Sequence, residues 1–134
     1  MLLSPTRTFA PVITPALEQW GNRIRGIVHN TGGAHTKCLK YLAEPVRLVK
    51  DNLFAPPAIF AMMQAASGIG LQEMYQVFNM GTRLELYTDQ ETAGRIIALS
   101  QSLNVDAQIV GRVEASTEKE VLVRTAGYEF RYTA

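Results

Sequence analysis

The sequence predicts an α+β fold, a mixed β-sheet with helices packed on it. Three observations carry this. Strand-like and helix-like segments interleave along the 134 residues. A strand, a helix and a second strand follow one another from Leu84 to Val113. The tail alternates Tyr128, Phe130 and Tyr132 after a turn at Ala126-Gly127, which is a hairpin signature.

Taken in order, Thr14 and Pro15 make a helix start, Thr14 as N-cap and Pro15 as first helical residue, with Gly21 ending the helix. Ile24 to His29 reads as a strand, with β-branched Ile24, Ile27 and Val28. It runs into Asn30-Thr31-Gly32-Gly33, which breaks it, and a short helix follows from Ala34 to Tyr41. Val46 to Val49 is a second strand, and Asp51-Asn52 and Pro56-Pro57 bracket a loop. Pro57 opens a helix with Ile59, Phe60, Met63 and Ala66 on one face, stopped by Ser67-Gly68. Leu71 to Phe78 is a further short helix that buries Met74, Val77 and Phe78.

The clearest unit comes next. Leu84 and Leu86 alternate with Arg83, Glu85 and Tyr87, as in a half-buried strand. Thr88 and Glu91 form a capping-box pattern for a helix over Asp89 to Leu103, with Ala93, Ile96, Ile97 and Leu103 on its apolar face. A strand from Ala107 to Val113 completes a β-α-β unit, and Val121 to Arg124 begins the closing hairpin. There is no internal repeat, low-complexity segment or linker, so residues 1–134 read as one domain.

Composition narrows the function classes. Hydrophobic residues make up 47% and charged residues 19%, enough apolar surface for a core. Thirteen basic against twelve acidic residues give a net charge of +1, which argues against a nucleic-acid-binding face. Cys38 is the single cysteine; it cannot form an internal disulfide and reads as a small buried hydrophobe in a reducing compartment. The apolar stretch Leu53 to Met63 is broken by Pro56 and Pro57 and falls short of a membrane span of about 20 residues. The segment Met1 to Arg7 lacks the pattern of a signal peptide. These readings make the chain a soluble cytoplasmic domain with no nucleic-acid or membrane partner.

The sharpest local feature is His29-Asn30-Thr31-Gly32-Gly33. A strand ending in a glycine pair lets backbone N–H groups converge, which suits a phosphate. Thr31 adds a hydroxyl, and His29 is a donor or an acid–base group near neutral pH. The alternative is an ordinary strand-to-helix turn, since the segment matches neither a Walker loop nor a dinucleotide fingerprint. Phe78-Asn79-Met80-Gly81 is the second feature: Asn79 caps, takes left-handed geometry or binds a ligand, and Gly81 can serve as a helix C-cap. Arg7 sits in an extended segment from which it can reach a phosphate. His29 and His35 lack the companions of a zinc site, so no metal ligand is assigned. Met62, Met63, Met74 and Met80 read as core filler. No nucleophile triad or paired carboxylates stand out, so no catalytic residue is assigned.

Together these segments resemble the C-terminal domain of aminoimidazole ribonucleotide synthetases (phosphoribosylformylglycinamidine cyclo-ligases). "LLSPTRTFAPVI" is similar to that family's "LL(A/S)PTR(I/T)Y" stretch, and "IRGIVHNTGGAHTK" to its "I-H-G-(I/M)-A-H-x-T-G-G-G" segment. "EMYQVFNMG" resembles "EMYxxFNxG", and "DAQIVGRVEAS" the strand after the family's strand-helix unit. The four segments come in family order. Ala34 stands where many members have a third glycine, and Thr82-Arg83 where a second small residue is usual.

The resemblance implies an AIR synthase C-terminal-domain fold, partly ferredoxin-like. It implies an ATP-dependent closure of formylglycinamidine ribonucleotide to aminoimidazole ribonucleotide, with ATP and magnesium in the full-length enzyme, neither expected to bind this chain tightly. ATP activates the formamide oxygen as a phosphate, a substrate nitrogen attacks that carbon, and phosphate leaves. The implied partners are an N-terminal ATP-binding domain absent from this chain, a phosphorylated ribonucleotide and a second subunit. Without the N-terminal domain the chain is expected to be inactive. The implied substrate or phosphate contacts are His29, Asn30, Thr31, Gly32, Gly33, Asn79, Gly81 and Arg7. Formylglycinamidine ribonucleotide synthetase, selenophosphate synthetase, thiamine-monophosphate kinase or a non-catalytic binding module are the alternatives.

Overall fold

The computed structural model describes residues 4–134, so the reading of Met1 to Leu3 lies outside the described residues. The elements run α1 (Ala10–Trp20), β1 (Gly26–His29), a 3-10 helix (Ala34–Tyr41), β2 (Val46–Lys50), α2 (Ala58–Ser67), α3 (Leu71–Val77), β3 (Leu84–Tyr87), α4 (Gln90–Ser102), β4 (Gly111–Ala115), β5 (Glu120–Thr125) and β6 (Tyr128–Thr133). The chain packs as two compact units. One holds the residues up to Ile27 with Leu86–Gln108, the other Val28–Glu85 with Ile109–Ala134.

In the first unit α1 packs on α4. Helix α1 starts at Ala10, four residues before the expected Thr14 cap, with Phe9 as N-cap and Pro15 inside the helix. Val12 and Ala16, four apart, are its buried residues, and their burial offsets the helix-breaking cost of Pro15. Helix α4 is capped by Asp89 rather than Thr88. Asp89 Oδ1 accepts from Thr92 N–H and Oδ2 from the Thr92 hydroxyl, each at 2.9 Å. The Thr92 backbone N–H and hydroxyl hold the Asp89 carboxyl below its ordinary value. The Thr88 hydroxyl instead donates to Arg23 O. The buried stripe of α4 is Thr92, Ile96 and Ser100, and Leu103 is exposed, contrary to the expected apolar face. Two polar residues can occupy that stripe because both hydroxyls are satisfied, Ser100 by Val105 O at 2.7 Å.

In the second unit a four-stranded sheet has the order β4-β2-β5-β6. β2 is central, antiparallel to β4 (Val46↔Ala115 to Lys50↔Gly111) and parallel to β5 (Arg47↔Glu120 to Lys50↔Val123). β5 and β6 form the expected hairpin, with Ala126 and Gly127 at φ +49° and +79°, the geometry of a type I′ turn. The sheet is therefore mixed. Leu48, Val121 and Val123 are buried on one face of the sheet and Val49 with its register partner Leu122 on the other, and Met74 and Tyr75 of α3 and Cys38 and Leu39 of the 3-10 helix are buried as well. Each such side chain contributes on the order of 1.5–3 kcal/mol by leaving water.

The remaining sheet pairs β1 with β3. Arg25 N–H donates to Tyr87 O and Asn30 N–H to Arg83 O, so these strands are antiparallel. The strand, helix, strand succession from Leu84 is present, but β3 and β4 lie in different sheets and do not form a β-α-β unit of one sheet. β4 also begins at Gly111 rather than Ala107. A Cβ at Gly111 would lie 1.8 Å from Val49 O, so the closest approach to β2 requires glycine there.

Three burial expectations change. In α3 the buried pair is Met74 and Tyr75, while Val77 is exposed and Phe78 follows the helix as C-cap. Tyr75 is held by its contact with His35 and by the Thr125 hydroxyl. Helix α2 fully buries none of its residues. Ile59, Phe60 and Met63 are half-buried, and Met62 is exposed rather than core. In β3 the buried residue is Glu85, not its leucine neighbours, for a reason that lies in the candidate site.

Candidate functional site

The candidate site is built where β1 stops. Asn30 N–H is the last to reach the neighbouring strand. Thr31 N–H turns back to His29 O, Ala34 N–H bonds Thr31 O, and Gly33 O collects Thr36 N–H, Lys37 N–H and the Thr36 hydroxyl. Gly33 is at φ +84° and Ala34 at +37°. Ala34 thus stands in the left-handed region that glycine takes most easily, at the position where the resembled family has its third glycine. Among the described residues, the Gly32 and Gly33 N–H groups meet no protein acceptor. Both glycines line an open groove of about 740 Å³ together with Thr36, Lys40, Glu73 and Gln76.

The loop rests on a buried polar cluster. Asn30, 2% exposed, donates its amide to Thr82 O at 3.0 Å and to Glu85 Oε1 at 2.9 Å. Lys50 Nζ meets the same Glu85 oxygen at 2.7 Å and His35 O at 3.0 Å. This explains the inverted burial of β3: Glu85 faces inward because a buried lysine and a buried amide receive it. His35 is fully buried. Its Nε2 lies 2.9 Å from Asn79 O, a group that only accepts, so Nε2 carries the hydrogen and Nδ1 faces the Lys50 ammonium at 3.5 Å. Asn30 Oδ1 and Thr82 Oγ1 are buried without a protein partner.

The Asn79–Gly81 turn closes the cluster. Asn79 Oδ1 accepts from Gly81 N–H at 2.9 Å, and its amide nitrogen lies 3.4 Å from Asn30 O. Met80 and Gly81, at φ +50° and +95°, take the left-handed geometry, not Asn79. The structure therefore brings a buried Asn30 and a half-buried Asn79 into contact and engages both side chains with protein groups, while His29, Thr31 and Gly32 stay exposed. Arg7 belongs to the other unit, where its guanidinium lies 3.5 Å from Asn104 O.

Sequence reasoning missed Lys37, Lys50 and Glu85. Lys37 Nζ donates to His29 O at 2.9 Å and to Thr31 Oγ1 at 2.7 Å, tying the 3-10 helix to the loop. The available signals were a lysine closing an apolar strand, in Leu48-Val49-Lys50, and a lysine four residues after Gly33. Cys38 is buried, with its thiol 3.2 Å from His35 O. Among the described residues no group of three His, Cys, Asp or Glu side chains is placed to hold a metal ion, and no helix is long and apolar enough to cross a membrane.

The family model for the C-terminal domain of AIR synthase related proteins matches residues 4–124. A phosphoribosylformylglycinamidine cyclo-ligase of Methanopyrus kandleri is 35% identical over 130 residues, covering 97% of this chain and 36% of the relative. The protein of that name from Methanocaldococcus jannaschii is 34% identical over 117 residues, covering 87% and 33%. The one from Staphylococcus carnosus is 33% identical over 123 residues, covering 90% and 35%. The chain spans about a third of the length of the curated relatives it matches. Since the family model covers residues 4–124 and relatives of 33–35% identity span 87–97% of the chain, the chain belongs to the AIR synthase related family and corresponds to its C-terminal domain.

Proposed function

We propose that this domain forms one wall of the active-site cleft of an ATP-dependent cyclo-ligase, which closes formylglycinamidine ribonucleotide to aminoimidazole ribonucleotide in purine biosynthesis. The other wall is an N-terminal domain that supplies most ATP contacts and the magnesium ligands. The full enzyme is a cytoplasmic homodimer.

The observation that carries the reading is the pair of unaccepted N–H groups at Gly32 and Gly33, open to a groove on a loop held by a buried cluster. Such groups bind a phosphate or the charge that develops on a transferred phosphoryl group, and a rigid loop does so without reorganising. In this reading Thr31, Gly32 and Gly33 bind, with His29 at the loop entrance as donor. Asn30, Asn79 and Gly81 hold the loop in shape. Arg7 remains a candidate phosphate contact.

The test is steady-state ring closure by the two-domain enzyme, wild type against Gly33→Val. Valine at φ +84° is strained, and its Cβ would stand 3.7 Å from the Lys37 Cβ. A loss in kcat/KM of at least about 100-fold with a small change in melting temperature supports the reading. Unchanged kinetics would sink it.

A further inference from the structure

Resting on that reading of the loop, we infer that Lys37 is the charge-bearing binding residue of the site and that its ligand is the dianionic phosphate of a phosphate monoester. An ammonium has three donors. Lys37 directs two of them to neutral oxygens of the loop, His29 O and Thr31 Oγ1. Its third proton is unassigned, and among the described residues it pairs with no carboxylate. Lys50, by contrast, is neutralised by Glu85, Arg47 by Glu114 and Glu120, and Arg131 by Glu118 and Glu120. The Lys37 charge is therefore held uncompensated on the loop, and the loop's own oxygens hold it there.

The same contact prepares Thr31. Because Thr31 Oγ1 accepts from Lys37, its hydroxyl proton is left to be donated outward. The loop then carries four donors: the third ammonium proton, the Thr31 hydroxyl, and the Gly32 and Gly33 N–H groups. Four donors with one full positive charge suit the three terminal oxygens of a phosphate monoester better than the two of a carboxylate. Lys40 lines the groove beside Gly32 and Gly33 and adds a second positive charge, while Glu73 opposes an anion there and so favours seating at the loop rather than along α3. Lys37 lies on the first turns of the 3-10 helix, and its Cβ is 3.7 Å from where a Cβ at Gly33 would stand, so helix and loop are in direct contact at this residue.

The experiment titrates the nitrogen-15-labelled chain with inorganic phosphate and, separately, ribose 5-phosphate, following the Gly32 and Gly33 amide signals. Wild type, Lys37→Ala, Lys37→Arg and Gly33→Val are compared, each with a thermal melt. The expected result is that both amides of the wild type shift and that ribose 5-phosphate binds at least as well as phosphate. Lys37→Ala should weaken binding about tenfold or more at an unchanged melting temperature, and Lys37→Arg should restore most of it. Wild-type affinity in Lys37→Ala with lost binding in Gly33→Val overturns the role of Lys37 and leaves the loop reading standing. Lost binding in both lysine variants, with a lowered melting temperature only for alanine, makes Lys37 a structural tie and overturns the inference. No shift of Gly32 or Gly33 in the wild type removes both readings. Binding of inorganic phosphate without ribose 5-phosphate overturns the assignment to a phosphate monoester.

Discussion

Lys50 Nζ and Glu85 Oε1 stand 2.7 Å apart, each on a side chain only 4% exposed, and join the central strand of the four-stranded sheet to the strand beside the glycine loop. A buried ion pair contributes little net stability, yet removing one partner strands the other charge. Lys50→Met should therefore cost about 3–5 kcal/mol in urea unfolding. The double variant with Glu85→Leu should recover part of that loss. A loss in the double variant equal to the sum of the losses in Lys50→Met and Glu85→Leu alone would show that the pair is not coupled.

Gly81 is the turn residue with least freedom. It lies at φ +95°, and a Cβ there would stand 2.9 Å from Pro57 Cδ. Pro57 is a rigid ring and cannot swing aside. Gly81→Ala should destabilise the domain by about 2–4 kcal/mol, from backbone strain and overpacking together. Gly68→Ala shares the positive φ but meets nothing within 4 Å, so about 1 kcal/mol is expected there. Comparison of the two melts separates strain from collision.

Glu120 sets an acid limit. Burial pushes its carboxyl up, but hydrogen bonds from Ser116, Arg47 and Arg131 outweigh burial and hold it below the ordinary value. A lowered folded-state value means that its stabilising contribution is present above the unfolded-state value near 4.3 and is lost as pH falls through the folded one. Glu120→Gln should melt below wild type at pH 7. That difference should shrink as the pH is lowered below about 4.3, and a constant difference would assign the stability to other groups.

The isolated chain should form no aminoimidazole ribonucleotide from formylglycinamidine ribonucleotide, ATP and magnesium. The reading assigns the ATP and metal contacts to the N-terminal domain. Product formation that scales with chain concentration would show that this domain holds a complete site.

Much of the architecture was legible in local chemistry. Gly127 after Ala126, between alternating Val121 to Arg124 and Tyr128 to Tyr132, demands a hairpin because the turn needs two residues at positive φ. Gly68 ends α2 for a similar local reason. The glycine loop was also legible, since only Gly32-Gly33 after a β-branched strand combines a chain break with bare N–H groups. The errors came where partners lie far off in sequence. Pro15 looked like a helix start because the apolar pair Val12 and Ala16 has no local signature of its partner α4. Glu85 looked outward because alternation assigns charge to solvent, and nothing near residue 85 announces Lys50 or Asn30.

The sequence by itself determined the α+β class, the family, the closing hairpin and the position of the loop, because each depends on neighbouring residues or on short motifs. Only the tertiary structure decided which strands share a sheet, which face of β3 is buried, and that Asn30 and Asn79 support the loop from inside while Lys37 reaches it from the adjoining helix. The physical reason is range. Turn geometry and periodicity act over a few residues, whereas the burial of Lys50, Glu85 and His35 is tolerable only when groups 15 and 35 residues apart complete one another's hydrogen bonds.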